Sequence, residues 1–404
     1  MFESLAMHTT RYADPDGPID PGILAEAMLY YGNVTVYSNR SDLQQLLRVM
    51  GPDLLLEYLS QGFMRIVYVE NFLGIRTDAA GTSKERYSPQ IAEMPHVALQ
   101  HYAPEAFIEA VGRLGRGRRL ARRFETLAST YRYDRLITAA VGQDLADSNY
   151  TTSCVDFLLR LHAPEYHIPQ PLIFKVDQDG RGYSVATNID FAAVNKVYHG
   201  RIPATHSTMN PALLLALLAE VNGSLELAST AGGDIATNDV FSGLLERKVQ
   251  GILKKRMADQ RQLAEFNSYL FKNAIALQQV INSGQRTFRD LLPLLKKSRR
   301  LREWIVREIQ PDQKLLDEYI FELRDQSWLD RLPSKTIRWS VMSGIGLTLD
   351  VAGAGGVGVL SALGLSAFDA LLLDRFVKGW KPTQFIEGDL ARFVRTEDSD
   401  RRAG

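Results

Sequence analysis

Gly353, Gly355 and Gly358 stand in the order G-x-G-x-x-G within DVAGAGGVGVLSALGLSAFDALLLDRF, residues 350–376. That spacing lets a backbone approach a pyrophosphate at a helix N-terminus. Dinucleotide chemistry also needs a strand before the loop and most of a βαβ sheet after it, and too little chain follows Gly358 for that. Asp369 and Asp374 lie near the offset of a ribose-binding acid, yet both fall in a helical pattern. The glycines therefore do not carry a nucleotide site on their own, and no cofactor is expected.

Other reactive side chains are thinly spread. His96 with His101 and His162 with His167 are each five residues apart, and Pro164 interrupts the second pair, so neither offers the i, i+4 helical face of a zinc site. No metal is expected. Cys154 lies in SCVDFLLRL, whose apolar spacing would bury it as a small hydrophobe rather than present a thiolate. Asp177, Asp179 and Gly180 resemble part of a calcium loop but lack the glutamate at its twelfth position; a turn held by Asx hydrogen bonds explains them and Asn188, with Asp190 capping the next helix. No catalytic set emerges, which leans the expectation away from an enzyme.

Phosphate could be met by GRLGRGRRLARRF, which holds Arg113, Arg116, Arg118, Arg119, Arg122 and Arg123, or by KKSRRLREW, with Lys296, Lys297, Arg299, Arg300 and Arg302. Leu114, Leu120 and Phe124 interleave with the first cluster, as on a helix with one solvated face. Lys plus Arg equal Asp plus Glu at 47 each, so no global field favours nucleic acid, which is not an expected partner.

In the Gly-rich stretch, Ala354, Gly358, Ala362, Ser366 and Ala370 are spaced by four and would form a ridge of small residues on a helix, fit for close approach of another helix. The uncharged run Val351–Phe368 is long enough to cross a bilayer, but a hairpin would carry Asp350 to depth at a cost of about 2.5–3.5 kcal/mol. The expectation is a non-enzymatic cytoplasmic protein acting through a protein partner or self-association. A triggered membrane-perturbing effector is the first alternative, and a hydrolase or nucleotide-binding enzyme without a recognisable motif is the second.

The elements that must position these residues form an α+β, mostly helical chain. Val34–Tyr37 reads as a strand, Leu43 to Leu59 as a helical pattern broken at Gly51 and Pro52, and Met64–Val69 as the next strand, giving a β-α-β unit. Leu172–Val176 and Tyr183–Ile189 flank a turn and read as a hairpin. Beyond it helices dominate. The expected divisions are an N-terminal α/β and helical domain over 1–165, a hairpin and helical bundle over 166–330, and the Gly/Ala-rich helical hairpin with its tail over 331–404. Composition is globular, with 45% hydrophobic and 23% charged residues, and the single cysteine suits a reducing compartment. No basic and apolar leader opens the chain. The closing segment, LDRLPSKTIRWS through LLDRFVKGWKPTQFIEGDL, resembles the ends of uncharacterised bacterial proteins over about the last 80 residues, a resemblance that implies no activity.

Overall fold

The computed structural model describes residues 4–8, 19–79, 85–93, 98–180, 182–201, 208–231, 234–237, 239–248, 277–308, 339–341, 385 and 389–394. The α+β, mostly helical class is as expected. Among the described residues a six-stranded, all-parallel sheet forms the centre. Its strands are β1 (Ser4–His8), β2 (Asn33–Ser38), β3 (Arg65–Val69), β6 (Ser129–Tyr131), β9 (Asp234–Thr237) and β10 (Trp339–Val341), in the spatial order β10-β9-β1-β2-β3-β6. It takes strands from all three of the expected divisions.

The β-α-β unit forms for the reasons its residues suggest. Asn39 caps α2 (Arg40–Met50): its side-chain oxygen accepts from the backbone of Ser41 at 2.8 Å, while Asp42 accepts from the backbone of Asn39 at 3.0 Å. That reciprocal pair satisfies donors the first turn cannot. Gly51, at φ +77°, ends α2 in a conformation costly for other residues, and Pro52 opens α3 (Pro52–Ser60) where a missing N–H is harmless. Asp20 caps α1 (Pro21–Tyr30), accepting from Ile23 at 2.8 Å.

Parallel strands are buried on both sides, and alternate residues divide this core into two. Leu5, Met7, Val34, Val36, Ile66 and Tyr68 face one layer: α1, α2, α3, α4 (Leu99–Val111), α5 (Leu114–Leu127) and α11 (Phe288–Glu308). Ala6 and Tyr37 face the other: α6 (Leu136–Ala146), α7 (Ser148–His162), α9 (Pro211–Ala231) and α10 (Asp239–Lys248). Beside it an antiparallel sheet runs β4 (Asn71–Ala79), β5 (Glu85–Glu93), β8 (Gly182–Thr187), β7 (Phe174–Asp179) in spatial order. The expected hairpin is β7–β8, turning at Gly180 with φ +64°. It leads into α8 (Phe191–Arg201).

α9 is long and apolar enough to cross a membrane, yet 89% of its most apolar window is buried. It contacts β1 and β4 and so serves as the core helix shared by both sheets.

Candidate functional site

In an open parallel α/β sheet, ligands are met outside the carboxyl ends of the strands, where the chain's crossovers switch from one face to the other. Here the switch lies between β1 and its neighbour β9: the crossover leaving β1 runs through α1 on one face, and the one arriving at β9 runs through α9 on the opposite face. The residues closing the carboxyl edge of the first strands are His8 on β1, Tyr37 and Ser38 on β2, Glu70 just beyond β3, and Tyr131 on β6.

His8 is in register with Tyr37, and both point to the α9 side. The Nδ1 of His8 is buried without a hydrogen-bond partner, and burial pulls the imidazole down to about 4, so it is neutral at physiological pH. Ser38 is fully buried, its Oγ also unpartnered, and it points to the opposite face. Buried polar atoms are normally paired, so two orphans at adjacent strand ends call for an explanation. Around them, Tyr37 meets Tyr131 edge to face at 6.2 Å, and Tyr131 meets Tyr133 at 5.4 Å. The Tyr131 hydroxyl donates to Glu226 on α9; burial raises both groups. Asn71 clamps the Tyr133 backbone, accepting from its N–H at 2.8 Å and donating to its carbonyl at 3.2 Å.

Three helix N-termini at this edge, those of α1, α2 and α4, are already filled. Asp20 takes the first turn of α1, Asn39 and Asp42 that of α2, and Glu70 accepts from Leu99 at the start of α4 at 3.1 Å. A phosphate would compete with side chains the protein supplies itself. What the edge offers is carboxylates, a neutral imidazole and a hydroxyl.

Two other polar places stand apart from it. Lys248 on α10 donates to Asp144 on α6 and to Asn222 on α9 at 3.0 Å, while Asn222 donates to Asp144 at 2.7 Å. Burial pulls the Lys248 ammonium down against the pull of Asp144. This triangle ties three helices together, each polar group serving another. A cleft of about 600 Å³ lies between Glu165, Tyr166 and His167 and the α8 residues Lys196, Gly200 and Arg201.

The expected site residues are dispersed. Arg116, Arg118, Arg119, Arg122 and Arg123 lie exposed on α5, with Arg116 paired to Asp53 at 2.6 Å. Cys154 is buried on α7 and burial pushes its thiol up to about 12, in keeping with a packed residue. Asp177 pairs with Lys175 and Asp179 with Arg86; Asn188 holds the segment leading into β7 through Ile173 and Pro171, and Asp190 caps α8. Among the described residues no group of three or more His, Cys, Asp and Glu could hold a metal ion. The ridge Ala354, Gly358, Ala362, Ser366 and Ala370, the G-x-G-x-x-G run, Asp369 and Asp374 lie outside the described residues. His8 and Ser38 were not singled out by sequence: a lone His and a lone Ser acquire meaning only once their strands are known to be adjacent and parallel. Comparison with protein-family models, with curated proteins and with solved structures finds no match.

Proposed function

We propose that the protein binds and acts on a small polar molecule at the carboxyl edge of its parallel sheet, in the second of the alternatives raised by the sequence, an enzyme without a linear motif. The observation that carries this is the unpartnered Nδ1 of His8 at the end of β1, beside the point where the crossovers change face. A neutral imidazole with an unpartnered ring nitrogen can exchange a hydrogen bond with a substrate, as acceptor or donor according to its tautomer. Three carboxylates at that edge, Asp20 capping α1, Asp42 in α2 and Glu70 just beyond β3, favour a ligand rich in hydroxyl or ammonium groups.

Thermal-shift and calorimetric titration with nucleosides, nucleotides, monosaccharides and polyamines tests the proposal. One class should raise the Tm of the full chain, and His8→Gln should abolish that rise without lowering the unliganded Tm by more than a few degrees. A ligand that binds the His8 variant as tightly as wild type would move the site elsewhere, and no response to any class would remove the proposal.

A further inference from the structure

We propose that the solvent face of α5 is a docking surface for the phosphate backbone of nucleic acid. Arg118, Arg119, Arg122 and Arg123 are exposed and form no ion pair or hydrogen bond through their guanidinium groups within the described structure; only Arg116 is matched, by Asp53. Ordinary solvated helix faces mix signs. Here Arg118 with Arg122 and Arg119 with Arg123 set like charges four residues apart, an arrangement that weakens a helix. Arg113 at the N-cap and Arg116 in the first turn add positive charge where the helix dipole is already positive, with no acid in that turn and no side chain capping it. The sequence thus places charge against the helix's own preference, and an external polyanion would relieve both conflicts at once.

The opposite face of α5 holds the arginines in place. Gly117, Leu120, Ala121 and Phe124 are buried, and a Cβ at Gly117 would stand 2.6 Å from the Cα of Ile108 on α4. Phe124 meets Phe107 at 5.2 Å between ring centroids. Apart from Leu114 at its first position, the apolar side of α5 is committed to the core, so the helix lacks the continuous apolar face that membrane-surface helices insert into a bilayer. That favours nucleic acid over lipid. Each pair of arginines four apart is separated by about 6 Å along the helix, a comb suited to successive phosphates. The exposed side of α5 carries no aromatic ring and no Asn or Gln, so it has neither a stacking platform nor an amide for reading bases. Binding should follow charge, not sequence.

The test is fluorescence anisotropy of the full chain with a labelled mixed-sequence duplex. With four phosphates neutralised, a slope of about −3.6 in log K against log salt is expected, a loss of about 100-fold between 50 and 200 mM salt. Substituting Arg118, Arg119, Arg122 and Arg123 with Gln should cost about 100-fold or more at the lower salt, and the same four as Lys should retain binding within about tenfold. The Gln variant should melt no lower than wild type, because repulsion is removed; a lower Tm would mean the arginines serve the fold. As a control for general charge, K296Q/R299Q/R300Q on α11 should bind within about threefold of wild type. No duplex binding at low salt, an equal loss in the α5 and α11 variants, or preference for phosphatidylserine vesicles or polyglutamate over the duplex would each overturn the proposal.

Discussion

Glu26 on α1 is 1% exposed, with one carboxyl oxygen accepting from Gln278 and the other unpartnered. Burial, opposed by the Gln278 bond and helped by Asp20, pushes its carboxyl up to about 7. A folded-state value above the unfolded one means the native protein binds the proton more tightly. The associated stability is complete below the unfolded value of 4.5 and is lost as pH rises through about 7. Glu26→Gln should therefore raise stability at pH 8 by about 2–3 kcal/mol while changing little at pH 4.5, as read from urea unfolding at the two pH values. An unchanged pH slope would refute it. His8 works in the opposite sense: with a folded value of about 4 against 6.5, its contribution is complete above pH 6.5 and disappears as pH falls through 4. Cys154 was legible from the apolar spacing around it, and its thiol, at about 12, should resist iodoacetamide at pH 8 in the native state and react at once in urea. Native-state alkylation at the rate of a free thiol would contradict its burial. His8 was not legible, because its neutrality comes from packing with chain remote in sequence, including α9, more than 200 positions later.

At the scale of elements, α5 offers two glycines two residues apart with opposite expectations. Gly115 has nothing within 4 Å of an added Cβ, so Gly115→Ala should gain up to about 1 kcal/mol from helix propensity. Gly117 meets the backbone of Ile108 at 2.6 Å, so Gly117→Ala must push α4 and α5 apart and should lose about 1–3 kcal/mol despite the same propensity gain. Thermal melts of the two variants decide it, and shifts of the same sign would show that the helices do not approach closely there. α5 itself, the Gly51–Pro52 break and the β7–β8 hairpin were legible because period and turn chemistry are local. The strands β1, β4, β5, β6, β9 and β10 were not. β6 is the three residues Ser129–Tyr131, too short for any alternation to show. β5 contains Pro89, which argues against a strand; it is accommodated because β5 pairs with β8 only at Tyr87, leaving Ile75 of β4 as the neighbour at that level. β9, DIAT, has no hydrophobic run and forms because β1 and β10 flank it.

Across the whole molecule, the mostly helical α+β character follows from composition and period, but the way the chain closes does not. β1 begins the chain and β9 arrives far downstream to pair beside it, Ala6 with Ile235, while Ser4 donates its hydroxyl to the Ala231 carbonyl at the end of α9. Long-range pairing of this kind leaves no local trace in sequence, which is why the stretches 1–165 and 166–330 read as separable. α9 buries Leu214, Leu215, Leu217, Leu218, Val221 and Leu227 at 2% exposure or less. Truncating one such leucine to alanine costs about 2–5 kcal/mol, so the helix as a whole outweighs the about 5–15 kcal/mol that typically holds a domain folded. A chain ending at Arg201 would keep β1, β2, β3, β6 and α1 to α5 of the first helical layer, yet it would lose α11 from that layer and would expose the edge of β1 and the face of Ala6 and Tyr37 that α9 and β9 cover. It should show no cooperative thermal or urea transition and should bind a hydrophobic dye, whereas the full chain should melt as a unit. A cooperative melt of the 1–201 chain would mean that α1 to α5 and their strands hold together without α9 and α11, and that the carboxyl edge bearing His8 is assembled before the second half of the protein arrives.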